Sequence, residues 1–107
     1  MNIPGKLKIG GHWYTVKFPY HFSERGDING QHDAEALAIK LDDRDGYDHS
    51  DLPESRIAVN FLHEILHAVD VVTGHKIFKD NESAIEGISE CLFQVLRDND
   101  IDFKVEK

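Results

Sequence analysis

Two histidines and a glutamate in one short segment are the side chains with the clearest chemistry in this sequence. His63, Glu64 and His67 stand in the order HExxH. Residues four apart are neighbours on one face of a helix, about 6 Å apart, so both imidazoles can reach a single zinc ion. Glu64 is offset by one residue and lies beside that ion, where its carboxylate can hold a water molecule as a general base. The motif therefore predicts a catalytic zinc site.

A catalytic zinc needs a third protein ligand and an open position for water. Three glutamates, Glu82, Glu86 and Glu90, follow the motif at four-residue spacing on a second predicted helix. If the two helices run antiparallel about a connection at 75–79, a rise of 1.5 Å per residue puts Glu86 level with His67. We therefore assign Glu86 as the third ligand.

The same helical geometry predicts different roles for the other two glutamates. Glu90 lies one turn deeper, level with His63, and is expected to accept the free ring N–H of that histidine. Glu82 falls in the first turn of its helix, where an acid complements the helix dipole. Both remain alternative ligands. Asp70, three residues after His67 on the same face, is interpreted as a solvated acid.

Hydrophobic spacing predicts the two helices that carry these residues. Apolar side chains recur with helical spacing over 57–72, and Gly74 stands where a glycine commonly ends a helix. The second helix begins after Asp80 or Asn81, either of which can cap it. Its apolar residues fall on one side over 85–96. Both helices are therefore expected to be amphipathic.

The first half of the chain has the pattern of strands. The segments 6–9 and 12–18 flank Gly10-Gly11, a two-residue hairpin signal. A further strand is predicted over 36–41, and a short one over 31–33. The tail 101–105 alternates apolar and polar residues and could add another strand.

These elements indicate one α+β domain over residues 1–107, with a small antiparallel or mixed sheet packed against two helices. The sheet would contain the N-terminal hairpin and one or two further strands. Twelve basic and twenty acidic residues give a net charge of −8, which argues against binding nucleic acid or an anionic membrane. We find no signal-peptide pattern and no apolar stretch of spanning length. A cytoplasmic location is expected.

The sequence resembles the gluzincin metallopeptidases, the thermolysin-like clan, over about a quarter of the chain. The segments HEILHAVDVVTG and NESAIEGISE, which span 63–90, are similar to the active-site helix and the glutamate helix of that clan. The short chain is most similar to minimal single-domain gluzincins, and it also resembles short HExxH proteins that phages and prophages encode. The resemblance implies a zincin-like fold, with zinc held by His63, His67 and Glu86 and with Glu90 supporting a ligand.

The function that this resemblance and the motif imply is zinc-dependent peptide hydrolysis, with Glu64 as the general base. The peptide or protein substrate is expected to lie along a sheet edge, for which 36–41 is the candidate. Tyr47, His49 and His75 are candidates for stabilising the oxyanion, although nothing in their spacing directs them to the metal. The alternative function is that of a zinc-binding interaction or regulatory protein that keeps the fold without catalysis. A small metal-dependent hydrolase of another class is a further alternative.

Overall fold

Four strands form one mixed sheet in this computed structural model, which describes residues 1–23, 26–101 and 103–106. The strands are β1 (Lys6–Ile9), β2 (His12–Lys17), β3 (Gly30–Asp33) and β4 (Ala38–Leu41). Their order in the sheet is β1-β2-β4-β3. The pair β2–β4 is parallel, whereas β1–β2 and β3–β4 are antiparallel. β1 and β3 are therefore the two edge strands.

The hairpin predicted at the N-terminus is confirmed. Gly10 and Gly11 connect β1 to β2 with φ angles of +56° and +88°. A two-residue hairpin turn that matches the twist of its strands needs positive φ values, which glycine adopts without steric cost. Along β2, Tyr14 and Val16 are buried while their neighbours are exposed. This alternation places one face of the sheet against the first of the two helices.

The first predicted helix is α1 (Glu54–Thr73). It ends as the sequence predicts, because Gly74 adopts the left-handed conformation with φ +75°. Its N–H donates to the carbonyl oxygens of Asp70 and Val71, at 3.1 Å each. This is a common way to satisfy the last carbonyls of a helix.

The second predicted helix is α2 (Glu82–Asp98). Asn81 precedes it, and the side-chain oxygen of Asn81 accepts a hydrogen bond of 3.2 Å from the N–H of Ala84. Such a cap satisfies one of the free donors of the first turn. The predicted α+β class, a mixed sheet with two helices, is therefore confirmed. Over the described residues, neither helix combines the length and apolar character needed to cross a bilayer.

The tail strand predicted over 101–105 is not formed. Residues 101 and 103–106 lie outside any strand, and residue 102 lies outside the described residues. Phe103 and Val105 are 75% and 77% exposed. Alternating polarity makes a strand only where a sheet edge is near, and the preceding helix α2 packs on α1 rather than on the sheet.

The layers are arranged so that α1 lies between the sheet and α2. Buried residues from β1, β2, β4 and α1 form the central core: Ile9, Tyr14, Ile39 and Ala68. On the other side of α1, α2 buries Ile85 and Ser89. Among the described elements α2 contacts no strand. Helix α1 therefore borders both β3 and α2, and a cleft opens between these two elements.

The sheet order corrects the expected substrate edge. The segment 36–41 contributes β4, which is hydrogen-bonded to β2 on one side and to β3 on the other. An interior strand has no free backbone groups to offer a peptide. Of the two edge strands, β3 is the one that lines the cleft. The local pattern predicts a strand at 36–41. It does not predict which strands lie beside it, because that depends on how the chain turns back between β3 and β4.

Candidate metal centre

The two histidines of the HExxH segment lie on adjacent turns of α1 and point to the same side. Their ring centroids are 4.9 Å apart, with the ring planes inclined at 59°. Both side chains are largely buried, His63 with 13% and His67 with 25% exposed. The helical spacing of the motif thus brings two imidazoles to one point, as predicted.

Glu82, the first residue of α2, meets both imidazoles with its carboxylate. Its Oε2 lies 2.9 Å from Nε2 of His63, and its Oε1 lies 3.1 Å from Nε2 of His67. One ligand atom from each of the three residues lies within 4.8 Å of the other two. These side chains form a group that could hold a metal ion.

The second ring nitrogen of His63, Nδ1, also contacts a carboxylate. This atom lies 2.8 Å from Oε2 of Glu86. Glu86 in turn accepts from the guanidinium of Arg56 at 3.3 Å, and the same Nη1 donates to Glu90 at 2.9 Å. A carboxylate on one ring nitrogen fixes the tautomer that leaves the other nitrogen free to bind a metal.

Helix α2 is therefore shifted along α1 by one turn relative to the position that the sequence predicts. Glu82, rather than Glu86, faces the two Nε2 atoms. Glu86, rather than Glu90, faces the ring N–H of His63, while Glu90 binds Arg56. The sequence prediction used the distance of each residue from the connection at 75–79, and it assumed that α1 ends and α2 begins at the same height. Residues 74–81 fold back along α1 instead, so that α2 begins beside the histidines.

Asp70 holds that connection in place and is not the solvated acid that the sequence suggests. The side chain is buried with 7% of the residue exposed. Its two carboxylate oxygens accept hydrogen bonds from the N–H groups of Ile77 at 2.8 Å and Phe78 at 2.9 Å. The bond from Phe78, together with that from Ile77, lowers the pKa of Asp70. The acid is ionised at neutral pH and anchors the segment that delivers Glu82.

Glu64 lies next to the group in a buried position. The residue is 8% exposed, and this burial raises its pKa to about 7. The carboxylates of Glu82 and Glu86 also raise the pKa, whereas His63 and a hydrogen bond from the backbone of His32 lower it. A carboxyl group that gains and loses a proton near neutral pH is suited to general acid–base chemistry.

The edge strand β3 approaches Glu64 closely because residue 30 is a glycine. A Cβ atom built on Gly30 would lie 2.9 Å from Oε2 and 3.1 Å from Cγ of Glu64. Contacts that short do not occur for real side chains without a shift of one partner. Gly30 therefore lets the Glu64 carboxylate lie directly against the backbone of β3.

A third imidazole, His32 on β3, is a site residue that the sequence reasoning missed. Its Nε2 shares a hydrogen bond of 2.9 Å with the hydroxyl of Tyr14. Burial, and next the charge of His67, lowers the pKa of His32, while burial raises the pKa of Tyr14. Both groups are neutral at pH 7. The sequence carries no local signal for this role, because only the sheet order brings β3 beside α1.

The cleft formed by these elements has a volume of about 600 Å³. One wall is the continuous segment 27–32 and the other consists of side chains from the two helices, namely Asn60, His63, Glu64, His67, Glu82 and Glu86. Among the described residues that line it, none is Tyr47, His49 or His75. The three oxyanion candidates from the sequence are thus outside the cleft, and Tyr47 is 73% exposed.

A second group, His21, Asp42 and Asp43, also brings possible ligand atoms within 4.8 Å of one another. Its contacts have a structural explanation. Oδ1 of Asp42 lies 2.8 Å from Nδ1 of His21 and accepts from the N–H groups of Asp43 and Arg44. The carboxylate thereby closes a turn after β4 and holds the segment that carries His21. We assign no catalytic role to this group.

The donor set of His63, His67 and Glu82 fits zinc. Two imidazole nitrogens and one carboxylate oxygen are among the ligands that catalytic zinc prefers, with an open fourth position. Ligand atoms around a tetrahedral ion with bonds of about 2.05 Å lie about 3.3 Å apart. The contacts of 2.9 Å and 3.1 Å between the Glu82 oxygens and the two Nε2 atoms are direct ion-pair distances, a few tenths of an ångström shorter than that value, so the three groups would have to move apart slightly to admit an ion.

Comparison with known proteins finds no matching family, no matching curated protein and no matching solved structure. Support for a function therefore comes from the geometry of this site.

Proposed function

We propose that this protein is a zinc-dependent peptidase with a minimal zincin-like fold. The observation that carries the proposal is the position of Glu82, whose two oxygens face the Nε2 atoms of His63 and His67. Glu64, with a pKa of about 7, lies beside the same group. A purely structural zinc site has no use for a buried base and is usually closed by a fourth protein ligand.

His63, His67 and Glu82 would hold the ion, and we thus replace Glu86 by Glu82 as the third ligand. When bound, zinc would polarise the scissile carbonyl and lower the pKa of water in the cleft. Glu86, held by Arg56, keeps the ring of His63 oriented towards the ligand position.

Glu64 carries the proton transfers of the proposed reaction. Its carboxylate accepts a proton from the attacking water and then delivers that proton to the nitrogen of the leaving amine. Its pKa is about 7 without a metal ion, and a cation beside it would lower this pKa, so the carboxylate would be ionised and able to accept the proton at neutral pH. The buried setting also excludes bulk water that would compete for the proton.

The substrate would be a peptide in extended form, paired with β3 by strand addition. β3 is an edge strand and runs directly along the cleft wall. The imidazole of His32 lies on the same wall, and its bond to Tyr14 restrains it. His32 therefore replaces Tyr47, His49 and His75 as the candidate for stabilising the developing oxyanion.

The experiment is peptide cleavage by the zinc-loaded protein and by its Glu64→Gln variant, with zinc per chain measured in both. We expect one zinc per chain in each, and a rate at least about 100-fold lower in the variant, as is usual for loss of a general base. Glu90→Gln is the matched control on the neighbouring helix and should keep its rate. Zinc-loaded wild type that cleaves no peptide in a degenerate mixture would instead support the non-catalytic alternative.

A further inference from the structure

The face of the sheet that points away from α1 carries a concentration of lysines. Side chains alternate along a strand, and Tyr14 and Ile39 point towards α1, so the residues on either side of each point the other way. Four lysines lie on this outer face: Lys6, Lys8, Lys17 and Lys40. Three of them are exposed, and Lys40 is half-buried. The outer face is therefore accessible to a partner and positively charged.

This concentration of positive charge contrasts with the rest of the chain. Residues 1–23 contain three lysines and no aspartate or glutamate, whereas residues 24–107 contain nine basic and twenty acidic residues, a net charge of −11. Among the described strand residues, Asp33 is the one acid. The register places it on β3, at the opposite edge of the sheet from Lys6. Positive charge is thus segregated onto one face of an acidic protein.

Two of the lysines face each other on neighbouring strands. Lys17 on β2 is the register partner of Lys40 on β4, so their side chains leave the same face about 5 Å apart. Like charges in such a pair repel each other and are unfavourable in a sheet. Within the described part of the chain, neither ammonium group belongs to an ion pair. Nζ of Lys40 lies 5.0 Å from the ring centroid of Tyr20 instead.

The ordinary explanation for lysines on a sheet does not cover this pair. Charged side chains on an edge strand discourage pairing with other chains, which accounts for Lys6 and Lys8 on β1. Lys17 and Lys40 lie on the two interior strands, which have a neighbour on both sides. Their repulsion therefore requires another explanation, and a bound anionic partner would supply it.

An exposed aromatic ring lies beside the lysines. Trp13, the only tryptophan of the chain, is 60% exposed and is the register partner of Lys8. Nζ of Lys8 lies 5.7 Å from the centroid of the Trp13 ring. Thr15, two residues further along β2, and Ala38, its register partner on β4, have small side chains. The outer face thus has a low middle, with cations and one large apolar surface around it.

From these observations we propose that the outer face binds an extended acidic segment of a protein partner. In an extended peptide, side chains two residues apart point to the same side about 7 Å apart, and Lys6 and Lys8 have the same spacing along β1. From Lys8 to Lys40 the register spans four residues along the strands and two strand spacings across them, roughly 16 Å. A segment of about five or six residues reaches that far. Carboxylates at alternate positions would meet the lysines in turn, and an apolar side chain would cover Trp13.

A nucleic acid is a poorer match for this face. A single strand carries a negative charge at every nucleotide, so the part beyond the outer face would meet the negative charge of residues 24–107. The described strands contribute no arginine, whose planar guanidinium binds phosphate in a bidentate manner. Because the outer face and α1 lie on opposite sides of the sheet, the partner would leave the candidate metal centre open. The inference does not depend on the proposed peptidase function.

The test measures binding of two labelled peptides to the full chain carrying Glu64→Gln, which prevents cleavage. The first has about ten residues with glutamate at every second position and serine between, and the second has glutamine in place of glutamate. At about 20 mM salt we expect the glutamate peptide to bind at least about tenfold more tightly, an advantage that should vanish at about 0.5 M salt. Binding should also change the fluorescence of Trp13, since the ring lies on the outer face.

Double variants locate the binding site. Lys17→Gln with Lys40→Gln should weaken binding of the glutamate peptide at least about tenfold. The same change removes the repulsion between the two lysines, so the melting temperature should not fall. Lys76→Gln with Lys79→Gln removes equal charge from exposed positions in the connection between the helices, and the affinity should stay within about twofold of its starting value.

A second pair on the outer face makes the result independent of one variant. Lys6→Gln with Lys8→Gln should also weaken binding of the glutamate peptide several-fold. Equal affinity for the glutamate and glutamine peptides, or an equal loss in the outer-face variants and in Lys76→Gln with Lys79→Gln, would overturn the proposal. A single-stranded oligothymidylate that binds more tightly and displaces the peptide would reject the acidic protein partner in favour of nucleic acid.

Discussion

The Nδ1 atom of His63 lies 2.8 Å from Oε2 of Glu86. This contact occupies one nitrogen of the ring and leaves Nε2 as the nitrogen that meets Glu82. Because the Nδ1 side is occupied, the Nε2 side faces the metal position, where the distance to Oε2 of Glu82 is 2.9 Å. One histidine thus connects two successive turns of α2, and each glutamate has a separate role.

Removal of Glu86 should weaken zinc binding without abolishing it. The Glu86→Ala variant loses the carboxylate that orients His63, and such supporting groups are typically worth 10- to 100-fold in metal affinity. We expect a decrease in that range by competition with a chromogenic chelator. The control is Glu90→Ala, which removes a neighbouring partner of Arg56 but no contact to a histidine. An equal loss of affinity in both variants would contradict the role of Glu86.

Burial of Glu64 should make the metal-free protein less stable as the pH rises. Its pKa is about 7 in the folded protein, against an ordinary value of 4.5 for a glutamate side chain. The folded state therefore binds more protons between these two values, so the free energy of unfolding decreases from about pH 4.5 to pH 7 and then levels off. The contribution is about 3 kcal/mol, at about 1.4 kcal/mol per pKa unit.

The Glu64→Gln variant tests this contribution by urea unfolding at two pH values. Metal-free Glu64→Gln should be more stable than wild type at pH 8 and have nearly the same stability at pH 4. Saturating zinc should reduce the difference at pH 8, since a cation stabilises the ionised carboxylate. Glu106→Gln, an exposed site, is the control. A wild type as stable as Glu64→Gln at pH 8 without metal would show that burial costs nothing here.

Gly30→Ala should impair the proposed general base, Glu64, without affecting the proposed metal ligands. A Cβ at this position collides with the carboxylate of Glu64, so the side chain must move away from β3. We expect zinc affinity to be retained and peptide cleavage to fall at least about tenfold. Gly87→Ala is the control, because a Cβ there meets nothing within 4 Å. It should keep activity and stabilise α2 by about 0.5–1 kcal/mol. Unchanged cleavage by Gly30→Ala would argue against a base held by β3.

Asp70→Ala should release the connection between the helices. Without the bonds to Ile77 and Phe78, residues 74–81 can move, and Glu82 loses its fixed position. We expect zinc affinity to fall about tenfold, the lower end of the effect of supporting groups. Asp70→Asn keeps one accepting oxygen and should recover part of the affinity. If Asp70→Ala unfolds, the Asn variant alone still measures the effect. Wild-type affinity in both would show that the loop is held by other contacts.

Local patterns were sufficient for most of the secondary structure. The apolar spacing over 57–72 and Gly74 predicted α1 to within a few residues, and Gly10-Gly11 predicted the hairpin. The HExxH motif predicted the convergence of His63 and His67, because both residues belong to one rigid helix. Relationships within a single element follow from its geometry alone.

Relationships between elements could not be obtained in the same way. Which glutamate meets the histidines depends on the path of residues 74–81, and that path depends on hydrogen bonds made by Asp70. The role of His32 depends on the placement of β3 at the edge of the sheet. Neither contact produces a periodic pattern in the sequence, so neither could be predicted. For the same reason the predicted third ligand, Glu86, lies one helical turn from Glu82, the glutamate that meets both histidines.

The most direct test of the proposed metal centre is the zinc affinity of Glu82→Ala compared with that of Glu86→Ala. A ligand contributes more than the residue that orients a ligand. We therefore expect Glu82→Ala to lose at least about tenfold more affinity than Glu86→Ala, with both variants folded by circular dichroism. Wild-type zinc affinity in Glu82→Ala, together with loss of zinc in Glu86→Ala, would reject Glu82 and restore Glu86 as the third ligand.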